Sequence, residues 1–314
     1  MTLIDDDDLA FKTRGCYLTS QFLEPIRESQ SDILQRTNLA SVFEDAIKQC
    51  FFSLPTLTPE NESTRLLSAA YPALISVFKT TYQNPRIPVS KRPQNQDLYI
   101  KGITKLLRDH ILPSFNHISS TSTTSSSSFA SFPYPRLSTF LLDQLESVLP
   151  ELGIHTTKYL QEIIPLLYST LANPFGPADL SLLRSSVATT RALVLNAHPR
   201  LWRWRGEILG GLCSCWIHLI EEESHITERA SRGRGLDVDA QKASEMDLLK
   251  KQLKGTTYLL KLVLEDPTDE SSDTGQTDAK ENIQGELREL VHADDTLEEL
   301  LFADIDPNDG SYFE

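Results

Sequence analysis

Residues 199–223 are apolar on two sides, and this segment constrains the fold more than any other part of the sequence. Read as a helix, the segment carries two apolar stripes that leave only a narrow polar strip. The first stripe contains Leu201, Trp204, Ile208, Leu212, Cys215 and Leu219, and the second contains Trp202, Leu209, Cys213, Trp216 and Ile220. Stacked helix pairs bury helices in this way, because each layer covers both faces of its neighbour. The adjacent Gly210 and Gly211 would let a neighbouring helix approach closely.

Almost every other apolar stretch repeats with the period of a helix, and almost none alternates as a strand would. We predict further helices near residues 39–50, 59–78, 96–115, 137–149, 159–171, 180–194 and 239–264, and the residues before 36 give no clear pattern. Pro72 falls inside one predicted helix and should kink it, because proline lacks a backbone donor. The sequence therefore predicts an all-α, HEAT-like α-solenoid of stacked helix pairs, with N-terminal repeats in 1–118 and C-terminal repeats in 135–264.

A Ser/Thr-rich stretch separates the two sets of repeats, and an acidic segment follows the second set. Residues 119–134 bury too little apolar area to offset the cost of ordering them, so they are predicted to form a flexible loop. Residues 265–314 hold 17 acidic and two basic side chains, whereas the rest of the chain holds 27 and 28. We predict a disordered acidic C-terminal tail, which repels nucleic acid and anionic membranes.

The tail has two open interpretations, because its acidic residues surround apolar ones. The apolar residues are Leu297, Leu300, Leu301, Phe302 and Ile305. They could form a short amphipathic helix in a partner's groove. The alternative, which we favour, is a solubilising tail.

The sequence contains no motif for catalysis or for binding a cofactor. Phosphate-binding glycine loops, the G-x-S-x-G elbow and the H-E-x-x-H helix are all missing. The nearest approach to a metal site is Cys213, Cys215 and His218, but Cys213 points away from the other two and a structural zinc needs four ligands. We therefore expect two buried thiols, no metal, no cofactor and no enzyme activity.

Residues 200–205 interleave cations with aromatic rings; Trp202, Arg203 and Arg205 belong to this run, and Glu207 follows it closely. Such a pattern can contact nucleic acid, yet helical spacing places the tryptophans on apolar stripes and lets Arg203 pair with Glu207. Core packing with a salt-bridged edge is therefore the favoured interpretation. Trp and Arg are also enriched at interface hot spots, so these four residues are the candidate partner-binding residues.

Several short motifs carry a resemblance to one protein family. They are LPTLTPENE at 54–62, AYPAL at 70–74, LGIH at 152–155, KYL at 158–160, IPLL at 164–167, NPF at 173–175, WRWRGEIL at 202–209 and CW at 215–216. Together they resemble the Tel-two-interacting protein two family in its fungal form, over about residues 36–223. The Ser-rich loop and the acidic segment lie outside the resemblance.

The resemblance implies a non-catalytic HEAT-repeat scaffold, a subunit of the triple-T complex beside Tel-two and its first interacting protein. That complex is a co-chaperone that works with the ninety-kilodalton heat-shock chaperone system. It supports the maturation and stability of phosphatidylinositol-3-kinase-related kinases, and hence telomere maintenance and the DNA damage response. We expect a protein of the cytoplasm and nucleus that binds neither nucleic acid nor membrane. The alternative is an α-solenoid adaptor of transport-receptor or nucleic-acid-binding type, which would need a basic groove.

Overall fold

The computed structural model describes residues 2–85, 89–120, 132–231, 236–265, 275–307 and 309–313. The prediction of an all-α fold is confirmed, since these residues form helices and turns and include no β-strand. The helices belong to two compact units that divide between Leu152 and Gly153. Residues 121–131 of the predicted Ser/Thr-rich loop lie outside the described residues.

The first unit is built around one long central helix. Its helices are α1 (Leu9–Glu28), α2 (Ile33–Thr37), α3 (Leu39–Lys48), α4 (Glu60–Tyr82), α5 (Arg92–Leu106), α6 (Leu112–Ser120) and α7 (Pro135–Leu152). The central helix α4 contacts α1, α3, α5 and α7 and buries twelve of its 23 residues. Its N-cap is Pro59, and the helix continues through Pro72.

The helix predicted for residues 96–115 is divided into two by a π-helical turn. This turn, Leu107–Ile111, joins α5 to α6, and the N–H of Leu112 donates to the carbonyl of Leu107. Pro113 follows directly, and it has no backbone N–H to donate to the carbonyl one turn back. The wider turn is the local adjustment that a proline at this position favours.

Helix α1 begins at Leu9, in the part of the sequence that gave no clear pattern. The carboxylate of Asp8 caps it by accepting from the N–H of Ala10 at 2.7 Å. Towards α4 the helix buries Cys16 and Leu23 together with two threonines. The threonine hydroxyls are satisfied within the helix, because Thr13 and Thr19 each donate to the carbonyl four residues earlier.

The second unit stacks helices in two layers. Its helices are α8 (Leu160–Leu171), α9 (Leu180–Ala197), α10 (Arg205–Ser231), α11 (Leu236–Glu265), α12 (Gly275–Ala293) and α13 (Glu298–Leu301). Consecutive helices form the pairs α8–α9 and α10–α11, while α8 packs on α10 and α9 packs on α11. This stacking of helix pairs is the arrangement that the predicted HEAT-like α-solenoid requires.

Helix α10 is buried on two sides, as its two apolar stripes predict. It packs against α8 and α11, and Leu212, Trp216 and Leu219 are fully buried. The close approach that the two glycines allow also occurs. A β-carbon added to Gly211 would lie 3.6 Å from the Cα of Tyr168 in α8.

The described part of the acidic segment is folded, which differs from the predicted disordered tail. Helices α12 and α13 contact α11, and a set of apolar side chains is buried. These side chains are Ile283, Leu287, Leu297, Leu300, Leu301 and Ile305. Their burial is favourable, and the segment's negative charge is partly offset by pairing with basic residues of α10 and α11. The amphipathic helix considered for a partner's groove therefore packs against the protein's own helices.

None of the described helices has the length and apolar character needed to cross a membrane.

Candidate functional site

The candidate partner-binding residues lie where a short 3₁₀ turn leads into α10. The turn, His198–Trp204, has Pro199 as its second residue and is anchored by the fully buried Leu201. It contacts α9, α10 and α11. Because a 3₁₀ helix has about three residues per turn and not 3.6, the side chains of this turn do not follow the predicted α-helical stripes.

Trp202 is consequently not a core residue, which corrects the favoured interpretation of this tryptophan. Its side chain is 36% exposed, at the surface of the second unit. The guanidinium carbon of Arg205 lies 4.4 Å from the centre of its ring, in cation–π geometry. Nη1 of Arg205 also donates to the carbonyl oxygen of Trp202 at 3.0 Å. Arg205 therefore holds both the backbone and the ring of Trp202 in place.

Arg205 is itself fixed by a carboxylate of α12. Its Nη2 and Nε donate to the two oxygens of Glu286, at 2.6 and 2.9 Å. These hydrogen bonds raise the pKa of Arg205 above its usual value, so the guanidinium stays charged. A bidentate pair of this kind fixes orientation as well as distance. The chain Glu286–Arg205–Trp202 thus presents an ordered indole ring at the surface.

The other two candidates, Arg203 and Glu207, are both exposed but do not form the predicted ion pair. Both lie in the described part of the chain, and no salt bridge joins them there. Their charges face solvent and are available to a binding partner. The structure therefore brings together Trp202 and Arg205 and leaves Arg203 and Glu207 as separate charged groups.

Trp216 has a structural role that involves residues far along the chain. Its ring is fully buried, and its Nε1 donates to the carbonyl oxygen of Thr296 at 2.9 Å. Lys250 and Lys254 lie over the ring, at 5.7 and 5.4 Å from its centre. Lys254 also pairs with Glu299 at 2.7 Å. The indole therefore ties the C-terminal residues to α10 and α11.

A cleft of about 620 Å³ lies beside this contact, within the second unit. Its lining residues are Ile220, Lys254, Asp295, Thr296, Glu298, Glu299, Phe302, Ala303, Asp304 and Tyr312. Four carboxylates and two aromatic rings face a single lysine, so the cleft favours cationic groups over phosphates. Sequence reasoning missed this cleft because it treated the acidic segment as disordered.

The cysteines of α10 are buried thiols. Burial raises the pKa of Cys213 to about 11 and that of Cys215 to about 12, so both are neutral at physiological pH. Metal binding requires the thiolate. Among the described residues, no group of three or more His, Cys, Asp or Glu side chains is placed to hold a metal ion.

A comparison with protein-family models matches residues 1–178 to the model described as the Tti2 family, which is more than half of the 314 residues. The matched range covers the first unit and continues into the second, ending just before α9. No curated protein and no solved structure matches the chain.

Proposed function

The chain belongs to the Tti2 family, and from this membership we propose that it is a non-catalytic scaffold subunit of the triple-T complex. In this role it binds Tel-two and the first Tel-two-interacting protein. The complex then acts with the ninety-kilodalton heat-shock chaperone system to mature and stabilise phosphatidylinositol-3-kinase-related kinases. The match over residues 1–178 is the observation that carries the proposal.

The architecture agrees with a scaffold role. Stacked helix pairs present extended surfaces on rigid elements, and such surfaces suit the binding of other proteins. The ordered indole of Trp202 is a feature of interface hot spots, where rigid aromatic and arginine side chains contribute most of the binding energy. We propose that Trp202 and Arg203 contact the partner, with Glu207 beside them, and that Arg205 positions Trp202.

The nucleic-acid-binding alternative finds little support in the charges of α11. Its Lys242, Lys250 and Lys254 each pair with a carboxylate, respectively Glu222, Glu223 and Glu299. Lysines held in this way offer little positive potential to a phosphate backbone.

Reconstitution with purified partners tests the proposal. The full chain is mixed with Tel-two and its first interacting protein at micromolar concentration and analysed by gel filtration. We expect co-elution as one complex, and separate elution would refute the scaffold role. Trp202→Ala should weaken binding, whereas Leu195→Ala, which truncates an exposed residue of α9 in the same unit, should not.

The co-chaperone role needs a test in cells. Rapid depletion of the protein should shorten the half-lives of newly made phosphatidylinositol-3-kinase-related kinases, measured by pulse-chase labelling. Re-expression of the full chain should restore them. Unchanged kinase half-lives after depletion would contradict the maturation role while leaving the assembly role to the reconstitution.

A further inference from the structure

The outer surface of α1 and α3 is apolar, although it faces solvent. On α1 the exposed residues Phe11, Leu18 and Phe22 are spaced i, i+7 and i+11, so they form one stripe. On α3 the exposed Leu39 and Val42 lie beside the half-buried Phe43. We call these six side chains the N-terminal apolar face.

The two stripes form one continuous surface. The rings of Phe22 and Phe43 lie with their centres 6.3 Å apart, which joins the stripe of α1 to that of α3. Phe22 nevertheless keeps 58% of its surface exposed. Single exposed apolar residues are common, but a contiguous patch of this kind marks an interaction site.

The position of α1 makes the patch unusual. Among the described elements, α1 packs mainly against α4, and its buried Cys16 and Leu23 lie on a different side of the helix from Phe11, Leu18 and Phe22. A helix at the edge of a stack needs a polar outer face to remain soluble. The outer face of α1 is instead rich in large apolar side chains, as expected for a helix that another chain covers.

The charges around the face specify the occupant. Asp5, Asp6, Asp7 and Asp8 are exposed at the end of the stripe nearest Phe11, and within the described residues none of them forms an ion pair. At the other end, Glu24 and Glu28 are exposed beside Arg27. The end at Asp5–Asp8 is thus strongly acidic and complementary to basic side chains, whereas Arg27 partly offsets the two glutamates at the other end.

This charge pattern argues against a second copy of the chain as the occupant. If the α1 helices of two copies ran parallel, the aspartate run of one would face that of the other. If they ran antiparallel, the run would face Glu24 and Glu28. In the parallel orientation only like charges meet, and in the antiparallel one Arg27 offsets a single carboxylate, so the net contact is repulsive in both and disfavours association.

We propose that the N-terminal apolar face binds an amphipathic helix of a different protein, whose basic residues face Asp5–Asp8. The helix would place apolar side chains at i, i+3 or i+4 and i+7 between α1 and α3. This deepens the proposed function, because the helix would belong to a protein with which this chain assembles in the complex. The face lies within residues 1–178, the part that matches the family.

Two variants and one control test the apolar contact. Phe22→Glu and Val42→Glu place charges in the face, and Leu57→Glu changes a residue of the same unit that is 87% exposed but outside the face. Binding to the co-expressed Tel-two and its first interacting protein is measured by biolayer interferometry. We expect each face variant to raise Kd at least tenfold, a typical hot-spot effect, and Leu57→Glu to change it less than twofold. Circular dichroism and thermal unfolding of each variant establish that the fold is kept.

A charge variant tests the basic part of the proposed helix. Replacing Asp5 and Asp7 by Asn removes two charges and spares the N-cap Asp8. We expect Kd to rise several-fold at low salt and to depend less on salt than in the wild type. An unchanged salt dependence would contradict basic recognition.

The outcomes separate this proposal from the scaffold role. If the wild-type chain binds the partners and the face variants bind equally well, the proposal is overturned and the scaffold role stands. If the wild type does not bind, both are overturned. If sedimentation shows that the wild type is a dimer which Phe22→Glu dissociates, the face is a self-association surface and the proposal is likewise overturned.

Discussion

Leu301→Ala tests whether the acidic C-terminal residues are part of the folded second unit. Leu301 lies in α13, is 1% exposed and belongs to the set of apolar residues packed towards α11. Truncating a buried leucine to alanine typically costs about 2–5 kcal/mol, because the transfer term and a cavity term add. If the segment were a disordered tail, the cost would be close to zero. The losses of unfolding free energy expected for a folded and for a disordered segment thus differ by far more than the error of the measurement.

The cost has an upper limit, because α13 is short and can detach. Once the loss exceeds the free energy that holds the segment in place, further destabilisation releases it without unfolding α10 and α11. The expected result is therefore a loss of hydrogen-exchange protection in residues 283–305 together with a lower unfolding midpoint. A unit of this size changes its Tm by about 2–4 °C for each kcal/mol.

Hydrogen exchange detected by mass spectrometry follows the segment directly, and urea unfolding gives the free energy. The matched control is Leu262→Ala, which makes the same substitution at a residue of α11 that is 45% exposed. It should change the free energy of unfolding by only about 0.5 kcal/mol. The reasoning is refuted if residues 283–305 of the wild type exchange at the rate of an unstructured peptide. It is equally refuted if the two leucine variants unfold alike.

Three further predictions concern other contacts of the second unit. In a double-mutant cycle measured by urea unfolding, Arg205→Leu and Glu286→Gln should show a coupling free energy of roughly 1 kcal/mol. This coupling free energy should decrease with added salt, and a coupling of zero would mean that the bidentate pair does not stabilise the fold. Gly255→Ala should displace the turn at Gly310–Tyr312, because the added β-carbon would overlap the carbonyl oxygen of Tyr312. Hydrogen exchange of that turn should increase, although alanine itself favours the helix. Unchanged exchange would contradict the close contact. Burial raises the pKa of Cys215 from its usual 9.0 to about 12. Between about pH 9 and pH 12 the thiol ionises in the unfolded state only, so the free energy of unfolding should fall as the pH rises through this range. In urea unfolding Cys215→Ala should show a smaller fall, and an equal fall in both proteins would refute the role of Cys215.

The all-α fold could be predicted because most helices carry apolar side chains on their buried faces. The two stripes of α10 illustrate this, since Leu212, Trp216 and Leu219 are buried between α8 and α11 as the helical period requires. The prediction failed where the local helix type changed. Trp202 belongs to a 3₁₀ turn, and its side chain therefore points to a different side from the one that an α-helical period assigns.

Helix α1 gave no clear pattern because its buried face mixes small and polar residues with apolar ones, while its exposed face also carries large apolar side chains. The side towards α4 uses small and polar residues such as Thr13 and Thr19, and the outer side carries Phe11, Leu18 and Phe22. A reading based on hydrophobicity alone cannot tell that the larger side chains face solvent. The capping carboxylate of Asp8, hidden within a run of aspartates, was the one local signal of the helix start.

The net charge of the acidic segment does not predict its fold, because the charges that it meets lie far away in the sequence. Its Glu286 and Glu299 pair with Arg205 and Lys254, which lie 81 and 45 residues earlier in the sequence. Such distant pairing leaves no local pattern. The regular spacing of Leu297, Leu300 and Leu301 was visible in the sequence, but only the folded chain provides the surface that covers them.

The hydrogen bond between Trp216 and Thr296 has a consequence for biosynthesis, because 80 residues separate the two groups along the chain. At about 5–20 residues per second, a ribosome takes roughly 4–16 s to make that intervening stretch. Until that stretch is made, the indole of Trp216 lacks the C-terminal backbone that later covers it and accepts its hydrogen bond. Synonymous codons that slow translation between these two positions would lengthen the exposure without altering the finished molecule.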